Sequence, residues 1–277
     1  MDSRPNGSSE SESLPVPLFA HLQHTQNTQV QSSDADVKFR SSDNVDFHIH
    51  KRNLEFATGG FPPANTPSSL DEIVRLSESS TTLEILFQFV YPQRHPSLDK
   101  LGFDEVLRVA EAAEKYEVFA ALTATHLMLR EFLHSHSKQV LQFACIHRAA
   151  LLVERLAPIM IDIPLSDIKG ILMMCPSYFV EWSLFREQYL QLAIALAQSR
   201  PQHRCEHFNI FTRVVLNKLD KPSNLMMPNL ENLFNIRSIG LENLQVCCAT
   251  ESRKWYFNVR ERVAKIPSFT LEMADNQ

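Results

Sequence analysis

Two runs of alternating apolar and polar residues, split by a polar tetrapeptide and followed at once by helical spacing, occupy residues 36–61, DVKFRSSDNVDFHIHKRNLEFATGGF. Val37 and Phe39 alternate with Asp36, Lys38 and Arg40. Phe47 and Ile49 alternate with Asp46, His48 and His50. Each run can therefore present its apolar side chains on one face of a sheet. Ser41-Ser42-Asp43-Asn44 supplies turn chemistry between them, so the spacing predicts a hairpin. After His50 the period changes. Leu54 and Phe61 lie seven residues apart, which suits a helix, and Pro62-Pro63 closes it. A strand hairpin running directly into a short helix is a strong constraint on architecture, and nothing in it is arranged for catalysis.

Phe47-x-x-His50-Lys51-x-x-Leu54, followed by Thr58 and Phe61, resembles the opening of the BTB/POZ domain, and Asp36-Val37 is similar to the pair that begins that family's first strand. Further along, Ile73-Val74-Arg75-Leu76 resembles its third strand. Phe87 to Tyr91 looks like the end of one of its helices, and Ala110 with Lys115-Tyr116 like another. The motifs keep the family's order from about Asp34 to Arg148. Thr58 stands where the family usually has Ser, Gly59-Gly60 and the Pro-rich segment from Phe61 to Pro67 replace a more regular helix, and the loop from Pro92 to Leu101 is longer than usual. The layout of the whole chain is similar to BTB proteins encoded by mushroom-forming fungi. The resemblance implies an α+β fold, a small sheet capped by a helical cluster over 34–148. Residues 1–33 read as a disordered leader, and 149–277 as an all-α C-terminal region.

With 277 residues and 44% hydrophobic residues, the chain has enough apolar material for substantial cores. Its net charge of -5 and sequence pI near 6.1 argue against bulk attraction to nucleic acid or to anionic membranes. Five cysteines, an odd number including the adjacent Cys247 and Cys248, do not form a secreted disulfide framework in a chain of this size. Residues 1–15, MDSRPNGSSESESLP, lack the apolar stretch of a signal peptide. No apolar run approaches the roughly 20 residues that span a bilayer. An intracellular location, cytoplasm or nucleus, is expected.

Along the chain, residues 1–31 are rich in Ser, Gln, Asn and Pro, with only Leu14 to Phe19 offering apolar side chains for docking. A strand is expected over Glu72 to Leu76, then a helix capped by Ser79 or Ser80 and stopped by Pro92. Helices over Phe103 to Tyr116 and Phe119 to Leu133 are expected to pack as an antiparallel pair, with a further helix over Lys138 to His147. Beyond Arg148 the pattern predicts helices over Ile168 to Met174, Trp182 to Leu196 and Phe208 to Leu219. Pro158, Pro164, Pro176, Pro201, Pro222 and Pro228 read as the breaks between segments of about ten to twenty residues.

Candidate chemistry is sparse. His48 and His50 lie two apart on a strand and can share a face, but zinc needs three or four converging ligands. The favoured role for His50 is a structural one at the strand-to-helix junction, its ring bonded to backbone. Cys205, His207, Cys247 and Cys248 together offer four zinc-type ligands at unfavourable spacing, and ordinary buried thiols are the simpler reading. Cys145 and His147 point to different faces of a helix, which disfavours a nucleophile and base. Hydrolase, zinc-protease, P-loop and dinucleotide motifs are missing, and six glycines leave little for a phosphate cradle. Arg253 to Phe257 with Arg260, Arg262 and Lys265 forms a basic, aromatic cluster. At helical spacing it reads as an amphipathic helix with a solvated basic face rather than a nucleic-acid groove.

The expected function is protein–protein interaction without catalysis, cofactor or membrane. As the resemblance implies, the partners are a second copy, in a homodimer, and other proteins. The alternatives are an adaptor for a cullin-type ubiquitin ligase and a zinc- or nucleic-acid-binding regulator acting through the C-terminal region. Asp36, Phe47, His50, Leu54, Phe61, Tyr91, Ala110 and Tyr116 carry the family resemblance and are expected to scaffold the interaction surface.

Overall fold

A computed structural model describes residues 34–65, 72–201, 203, 205–235 and 246–271, with 246 and 247 described by backbone alone. The leader expected over 1–33 lies outside the described residues. Two strands, β1 (Val37–Arg40) and β2 (Asp46–Ile49), pair antiparallel, with Val37 opposite Ile49 and Phe39 opposite Phe47. The register follows from alternation: Phe39, Phe47 and Ile49 are buried on the inner face. On the outer face Arg40 clamps Asp46 through two hydrogen bonds of 2.5 and 2.8 Å. Asn44 takes the positive φ of 63° that the turn requires. A seven-residue helix, α1 (Lys51–Ala57), follows β2 directly, and β3 (Ile73–Arg75) then pairs parallel to β1, giving the sheet order β2-β1-β3. The expected strand over Glu72 to Leu76 is thus present and shorter.

Helices α2 (Ser80–Gln88), α3 (Phe103–Lys115), α4 (Phe119–Leu129) and α5 (Ser137–Ile146) cover the sheet and extend away from it. The helix expected to run on to Leu133 stops at Leu129 and tightens into a 3-10 turn, Arg130–Phe132. Ser79 is the N-cap of α2, its hydroxyl accepting from the Thr82 N–H. The hairpin turn locks the same helix end. Asp43 accepts from the Ser80 N–H at 2.8 Å and from its hydroxyl at 2.6 Å.

Hydrogen bonds from Ser41 and Ser80 hold the Asp43 carboxyl down at about 2. Because its folded value is below the ordinary carboxylate range near 4, its contribution to stability is present above that range and is lost as pH falls through about 2. Asp43→Ala is therefore expected to lower the urea midpoint at neutral pH, with the gap to the parent closing as acid denaturation approaches. Equal gaps at both ends of a pH series would show that charge at Asp43 is not what holds the turn on α2.

The remaining described elements are α6 (Ala150–Ile159), α7 (Leu165–Leu172), α8 (Pro176–Gln198), α9 (Glu206–Asn217), a 3-10 turn at Pro222–Leu225, α10 (Asn229–Phe234) and α11 (Val246–Val263). Two of the prolines read as breaks do something else. Pro158 lies in the last turn of α6, and Pro176 opens the 23-residue α8 at a position where its missing N–H costs nothing.

Two clusters of buried side chains hold these elements. One joins Phe39, Phe47, Ile49 and Leu54 of the hairpin unit to Leu83, Leu86 and Phe87 of α2 and to Ala112, Ala113 and Ala121 of the α3–α4 pair. The larger takes Val106 and Ala110 from the same α3 and runs past Arg148 through Trp182, Phe208 and Trp255 to Leu271. Helix α3 therefore serves both cores with different positions. Among the described residues the fold is mixed α+β, with eleven α-helices and one three-stranded sheet.

Candidate functional site

At the strand-to-helix junction, His50 is the N-cap of α1 but makes no capping bond with its side chain. Asp36 does that work, its carboxylate accepting from the Lys51 N–H at 2.6 Å. The His50 ring instead bridges two side chains. Its Nδ1 lies 3.1 Å from the Tyr91 hydroxyl and its Nε2 lies 3.3 Å from Asp34. The expected bond from this ring to backbone is thus corrected: its partners are a phenol and a carboxylate. Burial raises the Tyr91 hydroxyl above its ordinary value. Among the described residues, neither His48 nor His50 belongs to a group of three metal-type ligands.

The other residues of the pattern lie inward. Phe47, Leu54, Tyr91, Ala110 and Tyr116 are buried, and half-buried Phe61 stacks on Tyr116 with ring centres 4.9 Å apart. The Tyr116 hydroxyl donates to Glu78 at 2.5 Å, and Lys115 reaches the same carboxylate at 2.8 Å. Burial, and then Glu78, pushes the Tyr116 hydroxyl up to about 12. These side chains fix the position of α1 and the edge of the sheet. What they present outward is α1 itself, of which only Leu54 is buried. Phe56 on that helix is 72% exposed, with the Arg52 guanidinium 5.9 Å from its ring centre.

A second constellation lies in the C-terminal region. Cys205 is the N-cap residue of α9, and its sulfur is 3.4 Å from that of Cys248 in the first turn of α11. The pair is well beyond the ~2.05 Å of a disulfide bond. The Cys205 N–H donates to the His203 carbonyl at 2.9 Å, and the His203 ring reaches the same place. One ligand-type atom from each of His203, Cys205 and Cys248 lies within 4.8 Å of the others. The backbone N–H of Phe208, with the Cys248 thiol and His207, pulls the Cys205 thiol down to about 7.

Of the four residues singled out in sequence, Cys205 and Cys248 come together. His207 is exposed, with its Nδ1 4.0 Å from the Cys205 sulfur, and the Cys247 side chain lies outside what is described. Cys248 is buried and Cys205 half-exposed. His203 was missed. Its His-x-Cys spacing was the available signal, but its partner on α11 is close only after folding.

Cys145 is buried and pushed up to about 12 by that burial, which leaves it a poor nucleophile. On α11, Trp255 and Val259 are buried while Arg253, Lys254 and Arg260 face solvent, as does Lys265 just beyond its end, and Lys254 and Lys265 pair with Glu251 and Glu261. The amphipathic arrangement read from the sequence is present. No helix among the described residues is long and apolar enough to cross a membrane.

The fold and its two constellations define a mixed α+β protein with a helix-presenting sheet edge and a separate His/Cys cluster. No protein-family model, curated protein or solved structure matches the chain.

Proposed function

We propose that residues 34–148 form a BTB/POZ-like interaction module that pairs with a second copy of itself, and that the chain binds proteins rather than catalysing a reaction. The observation that carries this reading is Phe56, a large aromatic side chain 72% exposed on a helix whose placement is fixed by buried neighbours. Phenylalanine and arginine are both enriched in protein interfaces relative to the rest of the surface. The order of elements, two paired strands, a short helix, a parallel third strand and then helices, also agrees with the motif order read from the sequence. Binding to further proteins, a cullin included, is a use this module would serve in an intracellular setting.

Light scattering of the full chain across a concentration series tests the pairing. A dimer is expected at tens of micromolar. Phe56→Glu is expected to weaken it at least about tenfold, ~1.4 kcal/mol, while leaving the circular dichroism spectrum of the subunit unchanged, because the ring is exposed in the monomer. A strictly monomeric parent at the same concentrations would remove the self-association reading.

A further inference from the structure

We propose that His203, Cys205 and Cys248 bind one zinc ion that ties the start of α9 to the start of α11. The three ligand-type atoms already converge, lying within 4.8 Å of one another. Two thiolates bound to one zinc at about 2.3 Å and near-tetrahedral angles sit roughly 3.8 Å apart. The two sulfurs here are 3.4 Å apart, so a small rotation of one side chain completes that geometry. The Nε2 of His203 is closed off from solvent and has no hydrogen-bond partner among the described residues, an arrangement that a metal or an ordered partner group resolves.

The surroundings favour the charge such a site needs. Cys205 and Cys248 sit at the N-terminal ends of α9, with twelve residues, and α11, with eighteen, where the helix dipoles stabilise anionic sulfur. Two thiolates and a neutral imidazole around a divalent cation leave the cluster with no net charge, which suits its partly buried place. The donor set of two soft sulfurs and one imidazole selects zinc over magnesium or calcium, which take oxygen ligands. The exposed His207 stands beside the cluster, its Nδ1 4.0 Å from the Cys205 sulfur. The ion would also hold α11 in place beyond the 236–245 connection, so that Trp255 stays seated against Phe211 and Phe234.

The test uses full-length, tag-free protein kept in a non-thiol reductant, stripped with chelator, given zinc sulfate and desalted. Elemental analysis is expected to find about one equivalent of zinc per chain, and less than about a fifth of one in His203→Ala and Cys205→Ser. Cobalt in place of zinc is expected to give tetrahedral d–d bands together with thiolate charge-transfer absorption, both falling below about a fifth of the parent's in Cys205→Ser. Circular dichroism of each variant separates loss of the ligand from loss of the fold. Cys205 is half-exposed, so its replacement by Ser is expected to remain folded. Zinc below about a tenth of an equivalent in the parent overturns the proposal. Full occupancy in both variants overturns it too, since the ion would then sit elsewhere. So does recovery of Cys205 and Cys248 as a disulfide from reduced, zinc-treated protein.

Discussion

Trp182→Ala is expected to cost about 3–5 kcal/mol of unfolding free energy, a large part of the total for an ordinary domain. Trp182 is completely buried in the middle of α8, and its ring meets Phe269 edge-on with centres 6.0 Å apart. Phe185, one turn further along, packs on the same Phe269 at 5.3 Å. Truncation therefore removes transfer energy and leaves a cavity whose walls are helices that cannot collapse into it. It also loosens the seat of residues 269–271, where the Leu271 N–H donates to Glu154 of α6 at 2.8 Å.

Trp182→Phe separates the two physical contributions. The indole Nε1 is buried without a hydrogen-bond partner among the described residues, so replacing it with an apolar ring removes an unsatisfied donor while keeping most of the volume. Its cost is expected to be less than half that of Ala. Denaturant unfolding followed by circular dichroism measures both. Equal losses for Phe and Ala would mean that the indole N–H is bonded after all and contributes to the core. An unchanged midpoint for Ala would mean that α8 does not belong to the cooperative unit.

The parts of this fold that were legible in the sequence are those set by local periodicity. Alternation in β1 and β2 specified which residues face inward, and the Ser41 to Asn44 cluster marked the turn because Asn tolerates the positive φ found at Asn44. The apolar face of α3 was legible for the same reason, whereas the face that α4 buries, Ala121, Thr125 and Leu129, and the tightening of the chain at Arg130 were not. Proline was misread where position decides its effect. A proline ends a helix when it falls inside one, yet Pro176 begins α8 because the first turn has no use for its N–H.

Tertiary features were largely illegible. That the His50 ring pairs with Tyr91 and Asp34 depends on how α2 ends beside the hairpin. Two of the three members of the His/Cys cluster, Cys205 and Cys248, could be guessed from residue type. The inclusion of His203 and the exclusion of His207 depend on how α11 meets the start of α9, which no periodicity encodes. The residues that carried the family resemblance proved to be mostly interior ones, which is why they describe a scaffold well and a contact surface poorly.

Gly60→Ala is expected to destabilise the hairpin unit by about 1–3 kcal/mol or more, whereas Gly59→Ala is expected to cost far less. Both glycines leave α1 along a segment that runs against the turn between α3 and α4. The N–H of Gly59 donates to the Glu117 carbonyl and that of Gly60 to the Tyr116 carbonyl, each at 3.1 Å, and Thr58 bridges Val118. A Cβ on Gly60 would lie 2.7 Å from the carbonyl carbon and oxygen of Tyr116 and 2.8 Å from its Cα. These are backbone atoms, fixed by α3 on one side and by Glu117 at a positive φ of 48° on the other, so the chain must separate to admit a methyl group.

At Gly59 the added carbon would meet chiefly the end of the Glu117 side chain, which can swing aside. An alanine there also reduces the freedom of the unfolded chain, which offsets part of any cost. The difference between two adjacent and chemically identical substitutions isolates close backbone approach from glycine's general flexibility. Separation at Gly60 would also pull Phe61 off Tyr116 and strain the Tyr116 bond to Glu78, so the loss should spread to the packing under α1. Thermal unfolding of the two variants side by side measures the difference, and near-equal midpoints would show that the α1 exit is not pressed against the α3–α4 turn.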